Sequence, residues 1–389
     1  EVMYGGRVTD TYDRRILKTY LDEYMGDFVF DTFQPFHFYQ DEKVKYSIPS
    51  EGAVQKYLGA IEGLPHVNSP EVFGLHSNAE IMYYTNSSSQ ILSNLVQMQV
   101  SSGGETANLG VNRDQVISQI ARDIQTKLPE LFDLAKINKE LHAQTISPTQ
   151  VVLLQELERW NELVFCMRTS LRQLQQALIG EIGLSSDLEE LSTHLYIGNV
   201  PAMWRKLAPF TQMTLPIWMN HFQKRYHQYV QWIKTEPPVM WLAGLHVPES
   251  YIKALIQTAC RKNGWPLDKT TIFTRVTKYT DPEQVTEKPE SSCYVSGLYM
   301  EGASWDNFNG VLTKQRPKEL ISEMPIIELI PTETHRLKLQ NTFKTPVYIT
   351  QERCNKMGVG LIFEADLPTL EHQSHWVLQG VCLLLNKAD

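Results

Sequence analysis

Between residues 150 and 179, Leu153, Leu157, Trp160, Val164, Met167, Leu171, Leu174 and Leu178 recur at alternating steps of four and three. Only a helix places residues at that spacing on one face. At 1.5 Å per residue it is a rod roughly 45 Å long. A rod with a continuous apolar stripe must bury it, either in a coiled coil with a second chain or against its own protein. Leu163 and Phe165 widen the apolar face beyond a narrow seam, so packing within the chain is expected.

The sequence on either side of this rod has two characters. Before it, short helical patterns dominate. Thr9 or Asp10 can cap a helix with Ile16, Leu17, Tyr20, Leu21 and Tyr24 on one face, ended by Gly26, and Ser50 can cap a helix through Val54, Leu58 and Ile61. His76 to Glu80 opens another, and Asn112 starts one carrying Val116, Ile120 and Ile124. Residues 136–149, polar and containing Pro148, read as a linker. After the rod come a helix with a capping box at Ser186 to Glu189, one beginning at Pro216 and stopped by Pro237-Pro238, and one from Pro248 to Gly264. From about Thr270 the pattern turns to short β-branched and aromatic runs: 272–279, 294–299, 326–330, 347–350, 359–363 and 376–385. With no helix-length segment between them, an antiparallel sheet curled toward a barrel is expected. The predicted fold class is α+β and multidomain, as 389 residues also suggest. Its parts are a helical unit over 1–135, the linker 136–149, a helical subdomain over 150–265 and a β-barrel-like subdomain over 266–389.

A net charge of −8 argues against nucleic acid or an anionic membrane surface as partner. No run of about eighteen apolar residues offers a membrane span. Five widely spaced cysteines without a C-x-x-C pair suit reduced core thiols. The first residue is Glu1, which suggests a segment of a longer protein. Phosphate-cradling chemistry needs a glycine-rich loop ending in Gly-Lys-Ser/Thr, and the sequence has none. Gly358-Val-Gly360 reads as close backbone approach in a sheet. His372 and His375 lack the further ligands of a metal site and read as solvated loop residues, while His221 and His227 share no helix face. Glu156 with Glu158, and Glu189 with Glu190, read as solvated helix faces. These residues identify no catalytic group, cofactor or metal.

Word-like matches run the length of the sequence. They are Tyr4-Gly-Gly-Arg-Val-Thr-Asp10 with Asp13-Arg14-Arg15, Phe73-Gly-Leu-His76 with Asn78-Ala79, Gln155-Glu156 with Arg159, and Val200-Pro201 with Trp204. They continue with Trp241-Leu-Ala-Gly244, Val295-Ser-Gly-Leu298, Glu301-Gly302-Ala303 with Trp305, Thr345-Pro-Val-Tyr348 and His375-Trp-Val-Leu-Gln-Gly380. In order and spacing they resemble the C-terminal end of dynein heavy chains. The resemblance implies the small helical lid of a degenerate sixth AAA+ module, then a C-terminal domain with helical and β-barrel halves. It implies a non-catalytic segment that braces the AAA+ ring and tunes force and processivity of a minus-end-directed microtubule motor. ATP and Mg would bind only in upstream modules. The implied partners are the remaining modules of the same heavy chain and, through the parent, intermediate and light chains and microtubules. The wording leans toward an axonemal dynein of cilia and flagella. Lids often carry a phosphate-sensing arginine near Arg7, but with no local nucleotide expected, an ion pair with Asp10 or Asp13 fits better. The stripe from Leu153 to Leu178 would be the brace against neighbouring modules. The alternatives are a stand-alone scaffold dimerising through that stripe, and a hydrolase whose nucleophile carries no recognised motif.

Overall fold

The structure, a computed structural model, describes residues 8, 11–27, 49–64, 76–101, 110–142, 145–209, 213–337, 341–350, 354–355 and 358–386. Ten helices precede most of the strands. They are α1 (Thr11–Tyr24), α2 (Val54–Glu62), α3 (Ser77–Ser101), α4 (Gly110–Lys127), α5 (Leu134–His142), α6 (Pro148–Ile179), α7 (Ser186–Ile197), α8 (Ala202–Arg205), α9 (Leu215–Lys234) and α10 (Pro248–Asn263).

The long rod is α6, 32 residues from Pro148 to Ile179. Its start is fixed by a reciprocal capping box: Gln150 N donates to Ser147 Oγ (3.2 Å) and Ser147 N donates to Gln150 Oε1 (2.9 Å), with Pro148 at the first helical position. Gly180, at φ +84°, ends it in the left-handed conformation that glycine adopts without strain. The box expected at Ser186 differs: Ser185 is the N-cap of α7, its side chain accepting from Leu188 N. Nor does Ser50 cap α2, whose N-cap is Ala53.

Around α6 lie α4, α5, α7, α8, α9 and α10. Ile117, Ala121 and Ile124 of α4 and Ile137 of α5 belong to the same buried cluster as the α6 stripe. Residues 136–142, expected as linker, are therefore helix packed into the core. The cluster continues through an aromatic stack: Trp160 lies on Phe222 at 4.3 Å, Phe222 on Trp218 at 5.6 Å, and Trp218 on Trp204 at 6.2 Å. Trp204 Nε1 donates to the buried Ser170 Oγ (3.0 Å), which satisfies the indole N–H.

The strands are β1 (Val239–Trp241), β2 (Thr270–Val276), β3 (Cys293–Ser296), β4 (Tyr299–Glu301), β5 (Ser304–Asp306), β6 (Val311–Thr313), β7 (Ile321–Glu323), β8 (Ile327–Glu333), β9 (Thr342–Tyr348), β10 (Cys354–Asn355), β11 (Gly358–Val359), β12 (Leu361–Pro368) and β13 (Cys382–Leu384). One sheet has the order β1-β3-β8-β2, another β12-β9-β13-β4-β7, and β5-β6 and β10-β11 form separate pairs. Pairing is antiparallel except β1 with β3 and β13 with β9. The expected barrel does not close among the described residues. Where the two larger sheets meet, Asp366 N donates to Thr274 Oγ1 (2.6 Å) and Thr274 Oγ1 donates to Asp366 O (3.1 Å), so a threonine side group stands where a backbone ladder would run. The run 376–385 also divides. Trp376 belongs to α11 (Gln373–Leu378), and Gly380, at φ +67°, turns the backbone into β13. Trp376 Nε1 donates to Thr369 Oγ1 (2.6 Å), which anchors the buried indole inside α11.

Leu171 is fully buried in the C-terminal half of α6. Leu171→Ala is expected to lower stability by about 2–5 kcal/mol, the cost of lost apolar transfer plus a cavity. Urea denaturation checks this; an unmoved midpoint contradicts the burial.

Candidate functional site

Leu153, Leu157, Val164, Met167, Leu171 and Leu174 are 0% exposed, Trp160 is 2% exposed, and Leu178 packs partly buried against the same cluster. The helices around α6 consume the stripe, so it cannot itself be the surface that leans on neighbouring modules. Phe165, 62% exposed, points away. Of the polar candidates, Arg7 and Asp10 lie outside the described residues, and Asp13 sits in the first turn of α1.

The stripe is interrupted by one charge. Glu156, expected on a solvated face, is 1% exposed. Its Oε2 accepts from Tyr229 Oη (2.9 Å) and His246 N (2.6 Å), and its Oε1 from Val247 N (3.1 Å) and Arg159 Nη1 (3.3 Å). Two of those donors are backbone N–H groups at the start of α10, whose N-cap Val247 has no capping side chain. Glu156 takes the N–H groups of the N-cap and of the residue before it, placing a carboxylate at the positive end of α10. The buried Arg225 acts electrostatically on the same site, and four donors with an opposite charge offset the cost of burying Glu156. Burial and the adjacent Glu156 push the Tyr229 phenol well above its ordinary range, so it remains a donor. Three elements, α6, α9 and α10, are thus fixed at one point.

A second joint ties α9 and α10 to the sheet. Tyr251 Oη donates to Glu236 Oε1 (2.7 Å) and lies 2.9 Å from Cys293 Sγ on β3, while Lys288 Nζ pairs with Glu236 Oε2 at 2.6 Å. Burial raises the Cys293 thiol to about 12, which makes it an inert packing group.

A third surrounds Trp241. Gln228 on α9 pairs with the backbone of β1 as another strand would, Trp241 N donating to Gln228 Oε1 (3.0 Å) and Gln228 Nε2 to Trp241 O (3.2 Å). The edge of β1 is thereby covered. A Cβ on Gly244 would lie 2.5 Å from the indole Cε3, and one on Gly297 2.8 Å from Cδ1. Both glycines leave room for the ring. Lys224 Nζ lies 4.4 Å over the ring and His221 meets its edge at 5.2 Å.

Sequence reasoning passed over Glu156, though a signal existed: it falls four residues after Val152 and four before Trp160, inside the apolar arc. Of the two histidines expected in a solvated loop, His372 is exposed and outside any helix, whereas His375 lies within α11. His372 is the N-cap of α11, its Nδ1 accepting from Ser374 N (3.3 Å), and the half-buried His375 meets Trp376 edge-on. Among the described residues no group of His, Cys, Asp or Glu is placed to hold a metal ion, and no helix is long and apolar enough to cross a membrane.

Glu156→Ala would leave Arg159 and two backbone N–H groups without this acceptor, take from Tyr229 the nearer of its two acceptors and remove the charge facing the buried Arg225, and is expected to destabilise by about 3–5 kcal/mol in denaturant unfolding. Burial holds His194, His246 and His375 below the usual histidine range. As pH falls through about 6.5, the unfolded state takes up these protons before the folded one does, so stability rises with pH across the window below that value. Asp366, pushed up chiefly by burial, acts in the opposite sense above about pH 4. Melting is expected at lower temperature at pH 5.5 than at pH 7.5, with a smaller difference in His246→Gln; an equal pH response in that variant contradicts the assignment.

Residues 1–79 match the family described as the AAA lid domain of the dynein heavy chain, and residues 85–385 match the family of its C-terminal domain. Over 387 residues, 99% of its length, the protein is 58% identical to the Dynein-1-alpha heavy chain of the flagellar inner arm I1 complex of Chlamydomonas reinhardtii and 55% identical to dynein axonemal heavy chain 10 of Homo sapiens. It is 36% identical over 394 residues, 99% of its own length, to dynein axonemal heavy chain 17 of Homo sapiens. It spans 8%, 9% and 8% of these three relatives. With both family matches in order and relatives aligned nearly end to end, the chain belongs to the dynein heavy-chain family, as its AAA lid followed by its C-terminal domain.

Proposed function

We propose that this protein is the non-catalytic C-terminal segment of an axonemal dynein heavy chain, bracing the AAA+ ring and regulating force and processivity of a microtubule motor. ATP and Mg bind in upstream modules, and intermediate chains, light chains and microtubules are met through the parent. Its place is the axoneme of a cilium or flagellum. The observation that carries the bracing role is the unsatisfied surface of the lid helices. No residue of α2 is buried, yet Val54, Leu58 and Ile61 are 69%, 51% and 62% exposed along one face. On α3, Ile81, Tyr84, Ile91 and Leu92 are also exposed. Apolar surface of that extent marks a contact with another module, here the rest of the ring. The names of the relatives, flagellar and axonemal, support the location.

The lid ends with α3 in this reading, and the C-terminal domain begins at α4, since α4 and α5 share the α6 core. Its helical and strand-rich halves meet near residue 265.

The purified protein is expected to show no ATP turnover and no co-sedimentation with microtubules; nucleotide-dependent hydrolysis would overturn the reading. Leu58→Glu with Ile61→Glu is expected to change its stability by less than about 0.5 kcal/mol per site, as at exposed positions. The same pair should release it from the upstream modules in a pull-down. Retained binding removes α2 from the interface. A tagged parent heavy chain is expected in axonemes, and exclusion from them rejects the location.

A further inference from the structure

The lid and the C-terminal domain meet along a seam unlike the core described above. Among the described residues, the large apolar cluster takes no side chain from α2 or α3 and only the partly buried Ile16 from α1. Among the residues of α3 whose side chains are described, the single fully buried one is polar: Asn78, 1% exposed. Its Nδ2 donates to Arg316 O (2.7 Å) and Glu319 O (3.1 Å), and its Oδ1 accepts from Lys318 N (2.7 Å). A carboxamide alone among side chains offers two donors and an acceptor in this arrangement. The receiving loop is shaped for it, with Lys318 held at φ +66° and Glu319 N donating to Arg316 O (3.2 Å).

A second grip comes from α1. Arg15 Nη1 donates to Lys344 O on β9 (3.2 Å), Nη2 to Gln373 Oε1 on α11 (3.3 Å), and its guanidinium lies 5.2 Å over the Phe343 ring. Both grips hold one five-stranded sheet. The loop taken by Asn78 leads into its edge strand β7, and Arg15 takes β9, with β4 and β13 between the two. Between them an open cleft separates Tyr20, His76 and Tyr83 from Glu301, Gln315 and Gln379. The seam is therefore partly open between two sets of directional polar contacts.

We propose that Asn78, seconded by Arg15, is a latch that locks the AAA lid to the five-stranded sheet, so that lid displacements reach the C-terminal domain through the 316–319 loop and β7. The latch rests on the assignment of the first helices as the lid. It adds that lid and C-terminal domain can separate locally without unfolding either.

Hydrogen exchange of the protein tests this independently of ATP turnover and microtubule binding, so failure of the latch is distinct from failure of the functional reading. In Asn78→Asp the new carboxylate faces the Arg316 and Glu319 carbonyls and can donate to neither. Exchange in the first turn of α3 and in residues 316–320 is expected to rise about tenfold or more, while α6 and β8 keep their protection. Unchanged exchange in the loop overturns the latch. So does loss of protection spreading into α6, because Asn78 would then be part of a common core. Arg15→Gln reads the seam from its other end: faster exchange in α1 and around Lys344 with α6 intact supports the latch, and unaltered exchange there overturns the part given to Arg15.

Discussion

Everything in the C-terminal domain is arranged around the burial of one face of α6. A 32-residue helix cannot hold its shape by hydrogen bonds alone, since most helical stability comes from tertiary packing of the apolar face. Here that packing comes from six other helices at once, with Trp160 seated in the aromatic stack. Close-packed interiors deform little and shift between discrete arrangements. A rod clamped along its length therefore behaves as a stiff member, the mechanical property that a brace across a ring requires.

Apolar packing sets how much surface is buried but tolerates many geometries, and the polar joints choose among them. Glu156 accepts from α9 and from the start of α10 simultaneously, so rotating either helix would strand a buried charge. Gln228 does the same for β1, and Glu236 with Tyr251 for β3. The Gln228 and Tyr251 joints sit where a helix meets a strand. There the ridges and grooves of helix packing cannot dictate register.

The rod, its flanking helices and the change to strands at residue 270 were legible because each is a periodicity, written locally in the sequence. The barrel was not, since closure depends on which edges pair, and Thr274 and Asp366 replace a ladder by a side-chain contact that no pattern announces. Trp376 was misread as strand because a buried aromatic looks alike in either element; Gly380, two residues beyond α11, was the available sign of a break. Glu156 was half legible: its place in the apolar arc is visible, but apart from Arg159 its donors lie some seventy to ninety residues away. Asn78 was recognisable only as part of a family word. Its partners are about 240 positions downstream, and an asparagine near a helix start ordinarily suggests a local cap.

The contrast between core and seam has a mechanical meaning. Within the C-terminal domain, large buried apolar area makes opening all-or-none, since stability there is shared by many residues. Across the seam, a few hydrogen bonds to backbone carbonyls give a contact that is specific in position yet modest in net strength, because water competes for the same groups when it opens. The proposed bracing role calls for both: a member that does not bend, and an attachment that transmits displacement up to a limit and then releases. Placing the attachment on β7 and β9 spreads the load over a sheet whose strands are cross-linked by their ladders, so pull on either grip is shared by β4 and β13 between them.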